Sequence, residues 1–258
     1  MRLIALTASA GGAGCTTVAA HVSLMLQAMG HACLALELHP RNQLGVHLGL
    51  PGPISPGWAA SAATGQWWGD AAVAAPNGLL CLPFGPTSME QQLQLAQLML
   101  AQPQWLQTQL LALHLPADTW VIADVGHPAS PWAWQALAAA QAVLCCTTPA
   151  LDSIQSLSTL YTHLAGSGTS RAPDWFRVLT CRIDARRPSH QRGVGRLHAQ
   201  WKPQLLEDVV HEDEAIPHSW SQGMPVQLHS PEALSSHDLQ GVAHSMHLWL
   251  STAWAATP

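Results

Sequence analysis

Residues 9–17, Ser9-Ala10-Gly11-Gly12-Ala13-Gly14-Cys15-Thr16-Thr17, have the composition of a phosphate cradle. Small residues let backbone N–H groups close around phosphate oxygens, and a following helix adds favourable partial charge at its N-terminus. The apolar run just before them suits a buried strand, and Val18 to Leu26 suit a helix. Strand, glycine-rich turn, then threonine at a helix start is the context a phosphate-binding loop needs. Gly11, Gly12, Ala13, Gly14, Cys15, Thr16 and Thr17 are therefore the candidate phosphate-binding residues, with the Thr16 hydroxyl placed as a Mg²⁺ ligand. Cys15 stands where such loops carry lysine. A charge-assisted hydrogen bond is worth roughly 1.5–3 kcal/mol, so losing it weakens nucleotide binding without abolishing it. Hydrolysis suffers more, because phosphoryl transfer depends on charge neutralisation. Two carboxylates complete the candidate chemistry. Asp124 closes the apolar run Trp-Val-Ile-Ala-Asp, as an acid that holds Mg²⁺ through water does. Glu37 closes Cys-Leu-Ala-Leu-Glu and is the third candidate metal residue.

These groups need a scaffold that delivers them to one edge. Apolar strand-like runs recur at 3–7, 33–37, 79–82, 120–124, 142–147, 176–181 and 207–210. Helical patterns lie between most of them, at 16–29, 88–113 (broken at Pro103), 131–140, 151–165, 190–201, 213–222 and 231–250. The alternation predicts an α/β fold, a mostly parallel sheet of about seven or eight strands with helices on both faces. Residues 38–78, rich in Pro, Gly and Ala, read as irregular, with the character of a lid or interaction surface. No repeat or domain boundary interrupts the chain, so residues 1–258 are expected to form a single nucleotide-binding domain.

The composition suits a large buried core: 48% of the 258 residues are hydrophobic and 10% charged. Lys202 is the only lysine. The six cysteines show no CxxC spacing, which predicts reduced thiols. The histidines form no HExxH-type pair, which argues against a histidine metal centre. The glycine loop interrupts any leader-like stretch, and no long uncharged run has the character of a membrane helix. The expected location is cytoplasmic.

The pattern resembles the MinD/ParA group of P-loop ATPases, the SIMIBI class with a deviant Walker A loop. That family's loop reads K-G-G-x-G-K-T-T, its second strand leads into D-x-D-P-x-x-N, and a later strand ends in Asp. Gly11, Gly12, Gly14, Thr16, Thr17, Pro40, Asp124 and Pro149 match. The departures fall on the charged groups. Ala10 replaces the signature lysine that reaches the partner's phosphates, and Cys15 replaces the loop lysine. Glu37 and His39 replace the two switch aspartates. The resemblance implies ATP and Mg²⁺ as ligands and a homodimer. It also implies base recognition near Cys181, which stands where the family has asparagine, and near His211 and Asp213. An ordinary strand-to-helix turn capped by Asp213 is the other reading of that loop.

A narrower resemblance follows. Gly57-Trp58-Ala59, Gly65-Gln66-Trp67 with Asp70, and Leu82-Pro83-Phe84-Gly85 are similar to segments of the BcsQ (YhjQ) family of bacterial cellulose biosynthesis. His211-Glu212-Asp213-Glu214-Ala215 and Pro225-Val226 fit it too. That family also lacks the usual loop lysine. The resemblance implies an accessory factor with slow or absent hydrolysis. It implies the small partner BcsR and docking on the cellulose synthase secretion complex, with peripheral inner-membrane association through partners. A MinD/ParA-type positioning ATPase for division, chromosomes or flagella is the alternative, as is a degenerate scaffold that binds nothing.

Several features admit two readings. Trp58, Trp67 and Trp68 could anchor a partner or cap a local core. Eight of the ten basic residues fall in 171–202. That cluster reads first as a solvated face and second as an acidic-ligand site, Arg171-Ala172-Pro173-Asp174 having the RxxD spacing of some cyclic-di-GMP sites. The net charge of −5 argues against nucleic acid. No Lys or Arg follows Lys202, which argues against direct membrane insertion by the last helix. Arg41 is the sequence candidate to replace the missing positive charge.

Overall fold

A computed structural model describes residues 1–51, 56–166 and 174–255. Eight strands form one sheet: β1 Arg2–Ala8, β2 Cys33–Glu37, β3 Val73–Ala74, β4 Leu80–Leu82, β5 Trp120–Gly126, β6 Ala142–Thr147, β7 Phe176–Ile183 and β8 Leu205–His211. Their spatial order is β3-β4-β2-β5-β1-β6-β7-β8. Every pairing is parallel except β3 with β4. The predicted α/β architecture is thus the observed one.

Strands β5 and β6 are buried at every position, as a parallel sheet covered on both faces requires. One face is covered by α3 Trp58–Ala63, α4 Met89–Ala101, α5 Trp105–Ala112, α6 Pro131–Ala139, α7 Leu151–Ala165 and α8 Pro188–Trp201. The other carries α1 Cys15–Ala28, α2 Leu44–His47, α10 Val226–His229 and α11 Leu234–Ala255, with α9 Ala215–Ser221 beside them. Local chemistry sets several boundaries. Ser88 and Gln91 form a reciprocal capping box at the start of α4. Ser130 caps α6, whose first residue is Pro131. Pro103 lies between α4 and α5, at the break the sequence predicts.

The stretch read as irregular departs from that expectation. It holds α2, α3, a 3-10 turn at Trp68–Ala71 and strand β3. Trp58 and Trp68 are buried in the core with Phe84, Trp105 and Trp132, while Trp67 is exposed. The motif segments lock this region backbone to backbone. A Cβ on Gly57 would lie 2.3 Å from Gly85, and Trp58 N–H donates to the Pro83 carbonyl at 3.0 Å. Only glycine permits that approach.

Among the described residues, no helix is long and apolar enough to cross a membrane. All six cysteines are free thiols.

Candidate functional site

The carboxyl ends of β1, β2, β5, β7 and β8 converge on one edge, where open α/β sheets bind ligands. A cavity of about 360 Å³ opens there. Residues 10–18 line one side, and Cys181, Arg182, His211, Glu212 and Asp213 line the opposite side. His39, Arg41 and His127 line it too. The predicted phosphate-binding and base-binding residues therefore share one pocket, although more than 160 positions separate them, as the span from Gly12 to Arg182 (170 positions) illustrates.

The loop is shaped for an anion. Gly14, with φ 86°, precedes α1 in the left-handed region. No side chain caps this helix, and its first turn holds no acidic residue. Among the described residues, the backbone N–H groups of residues 10–17 have no acceptor in the protein. Unpaired N–H groups at a helix N-terminus are a ready anion site. Cys15 adds no charge. Its thiol is buried against Cys146 and Asp124, and burial raises its pKa well above the ordinary value. It is a neutral, apolar filler where a cation is usual.

The two acids lie beneath the cavity and do not line it. Asp124 is wholly buried, and neither carboxylate oxygen has a hydrogen-bond partner. The Thr16 hydroxyl and Cys15 thiol face it and lower its pKa without reaching hydrogen-bond geometry, but burial prevails and lifts it to about 6. An orphaned carboxylate beside a threonine hydroxyl fits a hydrated divalent cation. Glu37 is turned elsewhere. One oxygen accepts the Leu44 N–H at 2.8 Å at the start of α2, and the other has no partner. Burial, with the nearby Asp124 adding to it, pushes Glu37 to about 8.

Two tryptophans hold the segment that follows Glu37. The Trp58 indole donates to the Glu37 carbonyl at 2.7 Å, and that of Trp132 donates to the Leu38 carbonyl at 2.9 Å. Asn42 accepts the Gly85 N–H at 2.9 Å. His39 packs on Gly126: a Cβ there would come within 2.3 Å of the ring. Burial, then the Arg41 charge, lowers the His39 pKa. An imidazole thus stands where the motif of the resembled family has its second switch aspartate.

Across the cavity, Asp213 is committed to backbone. Its oxygens accept from Ala215 N–H and Ser235 N–H, each at 2.9 Å. Burial raises its pKa, but these bonds outweigh it and the net shift is downward. These bonds brace the turn leading into α9, whose N-cap position is Glu214. His211 is held by Asp238, through its backbone N–H at 2.8 Å and its ring at 2.9 Å. The Cys181 thiol points to the Leu179 carbonyl.

Arg182 is the residue sequence reasoning left unassigned. Cys181 pairs with Val210 and Ile183 with His211, so Arg182 is the extra residue of a bulge. Bulges beside sites re-aim side chains. Its φ is 57°, a left-handed conformation that costs a non-glycine residue about 1–2 kcal/mol. Its guanidinium donates to Glu212 at 2.7 and 2.9 Å, and to the Gly12 carbonyl at 3.0 Å. The pairing raises the arginine pKa and lowers that of Glu212. Of the basic stretch, Arg171 and Pro173 lie outside the described residues, and Asp174 pairs with Arg177 at 2.6 Å.

Comparison with solved structures defines the class. The cell-division ATPase MinD of Pyrococcus furiosus superposes with a TM-score of 0.76 at 21% identity, covering 95% of this chain and 98% of that one. MinD of Pyrococcus horikoshii, complexed with Mg-ADP, gives 0.76 at 19% identity over 98% of both chains. The fold is that of the MinD/ParA P-loop NTPases. The family model described as cellulose biosynthesis protein BcsQ matches residues 1–246, and the chain belongs to that family. The curated BcsQ of Escherichia coli is 27% identical over 253 residues, 95% of this chain and 93% of that protein. That of Salmonella typhimurium is 24% identical over the same shares.

Proposed function

We propose that this chain is an ATP-binding accessory protein of bacterial cellulose biosynthesis and secretion, acting with slow or absent hydrolysis. The observation that carries the nucleotide reading is the uncapped loop of residues 10–17, which lines the shared pocket and whose N–H groups have no partner in the protein. Those groups would hold the phosphates. Thr16 and the orphaned Asp124 would hold Mg²⁺, which when bound neutralises phosphate charge. Glu37, turned to Leu44, would assist only after reorienting. Cys181 and His211 would border the base, with Asp213 bracing the loop beneath them.

Slow turnover follows from charge. Ala10, Cys15 and His39 leave the loop and switch without the lysines and the acid that would stabilise and orient a reacting phosphoryl group. In this reading residues 1–258 act as one domain. Nucleotide closes a homodimer, and the dimer presents a surface to BcsR and to the synthase complex at the cytoplasmic side of the inner membrane.

The test is to purify the protein, denature it and identify co-purified nucleotide by chromatography. Near-stoichiometric ATP is the expected result. ADP alone would show that turnover survives without lysine. A protein that is empty, and that fails to bind added ATP with Mg²⁺, would refute the nucleotide reading.

A further inference from the structure

The phosphate loop brings no cation of its own, yet two arginines line its pocket. Arg41 is an exposed residue of the switch segment and makes no ion pair among the described residues. Arg182 is built in. It occupies the bulge at the end of β7, in a backbone conformation that arginine rarely adopts, and it spans the pocket mouth. Glu212 grips one edge of its guanidinium through two bonds, while Nη1 rests on the Gly12 carbonyl. Nη1 lies 3.7 Å from where a Gly12 Cβ would be, directly over the cradle.

The two acceptors differ in kind. Glu212 is charged and holds the planar fork in a fixed orientation. The Gly12 carbonyl is neutral and belongs to the loop that would receive an anion. A phosphate oxygen is a far stronger partner for guanidinium than a peptide carbonyl is. Strained backbone persists where the surrounding structure enforces it, and it concentrates at functional positions.

We propose that Arg182 is the phosphate-binding cation of this site, exchanging the Gly12 carbonyl for a phosphate oxygen while Glu212 keeps its grip. The inference rests on the nucleotide reading above and assigns to β7 the charge that related loops carry as lysine.

Arg182→Gly is the informative variant, because glycine adopts the left-handed backbone freely and the fold should survive. Thermal unfolding verifies that it does. Calorimetric titrations then compare ATP with Mg²⁺ and adenosine on wild type, Arg182→Gly, Arg182→Lys and Arg41→Ala. The expected result for Arg182→Gly is a loss of ATP affinity of roughly ten- to a hundredfold, with adenosine affinity unchanged. Lysine should recover part of the loss. Unchanged ATP affinity in Arg182→Gly overturns the inference alone, provided wild type binds ATP. An equal loss for adenosine overturns it in favour of a base contact. A full loss in Arg41→Ala with none in Arg182→Gly moves the charge to the switch segment. A wild type that binds no nucleotide refutes this inference together with the reading beneath it.

Discussion

Replacing Glu37 with glutamine should stabilise the ligand-free protein above neutral pH. Glu37 pairs in register with Asp124 on the neighbouring strand, and burial pushes its carboxyl to about 8. In an unfolded chain it titrates near about 4.3. A carboxyl raised on folding gives stability that is complete below its unfolded value and is lost as pH rises through its folded value. Other buried groups overlap the lower part of that window. Asp124, lifted to about 6 by burial, acts in the same direction. His21 and His47, lowered by burial to about 4 and about 3, act oppositely, because acid must charge them on unfolding. Their effects end near about pH 6.5, where histidine in the unfolded chain becomes neutral. Between about pH 6.5 and 8 Glu37 dominates, and at about 1.4 kcal/mol per unit it should cost the wild type about 2 kcal/mol. Glutamine keeps an oxygen for the Leu44 N–H and removes the charge. Urea unfolding with a chelator present, at several pH values across this window, reads the difference. The wild type should lose stability while Glu37→Gln stays nearly level. Parallel profiles would refute the argument that this buried acid titrates near neutrality.

Two further outcomes follow from the site. Trp58→Phe removes the indole bond to the Glu37 carbonyl and leaves space in a fully buried cluster. The cost should be about 2–4 kcal/mol, a fall in melting temperature of roughly 5–12 °C by calorimetry; a change below about 0.5 kcal/mol would mean that this bond is not holding the segment. Asp124→Asn should remove the gain in ATP affinity that Mg²⁺ provides, measured by titration with and without the ion. An undiminished Mg²⁺ effect would exclude Asp124 from the metal site.

The long elements were legible because each carries its period several times over. The parallel strands read as continuous apolar runs, and helices such as α7 span several turns. The short elements between residues 38 and 78 were not, since α2 and α3 have four and six residues and show barely a turn of periodicity. Tertiary packing of Trp58 and Trp68 orders them. Strand β3 has two residues and an antiparallel partner, below any periodic signal. At the site, glycine spacing revealed the loop, but side-chain direction stayed hidden. Glu37 reads as a metal acid, and the turn of one of its oxygens to the Leu44 N–H has no signal in the sequence. Arg182 reads as one member of a basic run, because its role depends on a bulge and on a loop 170 positions away.

The tryptophan bonds to Glu37 and Leu38 also change the timescale on which this edge can move. A switch segment tied only to ligand would open as a surface loop, exchanging its amide hydrogens within local fluctuations. Here the carbonyls of that segment are donated to by indoles whose rings sit inside the main core. The segment therefore belongs to the same cooperative unit as α3 and α6, and its opening requires that unit to loosen. The amides of Leu38, Asn42 and Leu44, which donate to the Asp124 carbonyl, the His39 carbonyl and the Glu37 carboxyl, should show hydrogen-exchange protection approaching that of the central strands, even without nucleotide. Any rearrangement of this edge would then be a slow event of the whole aromatic cluster.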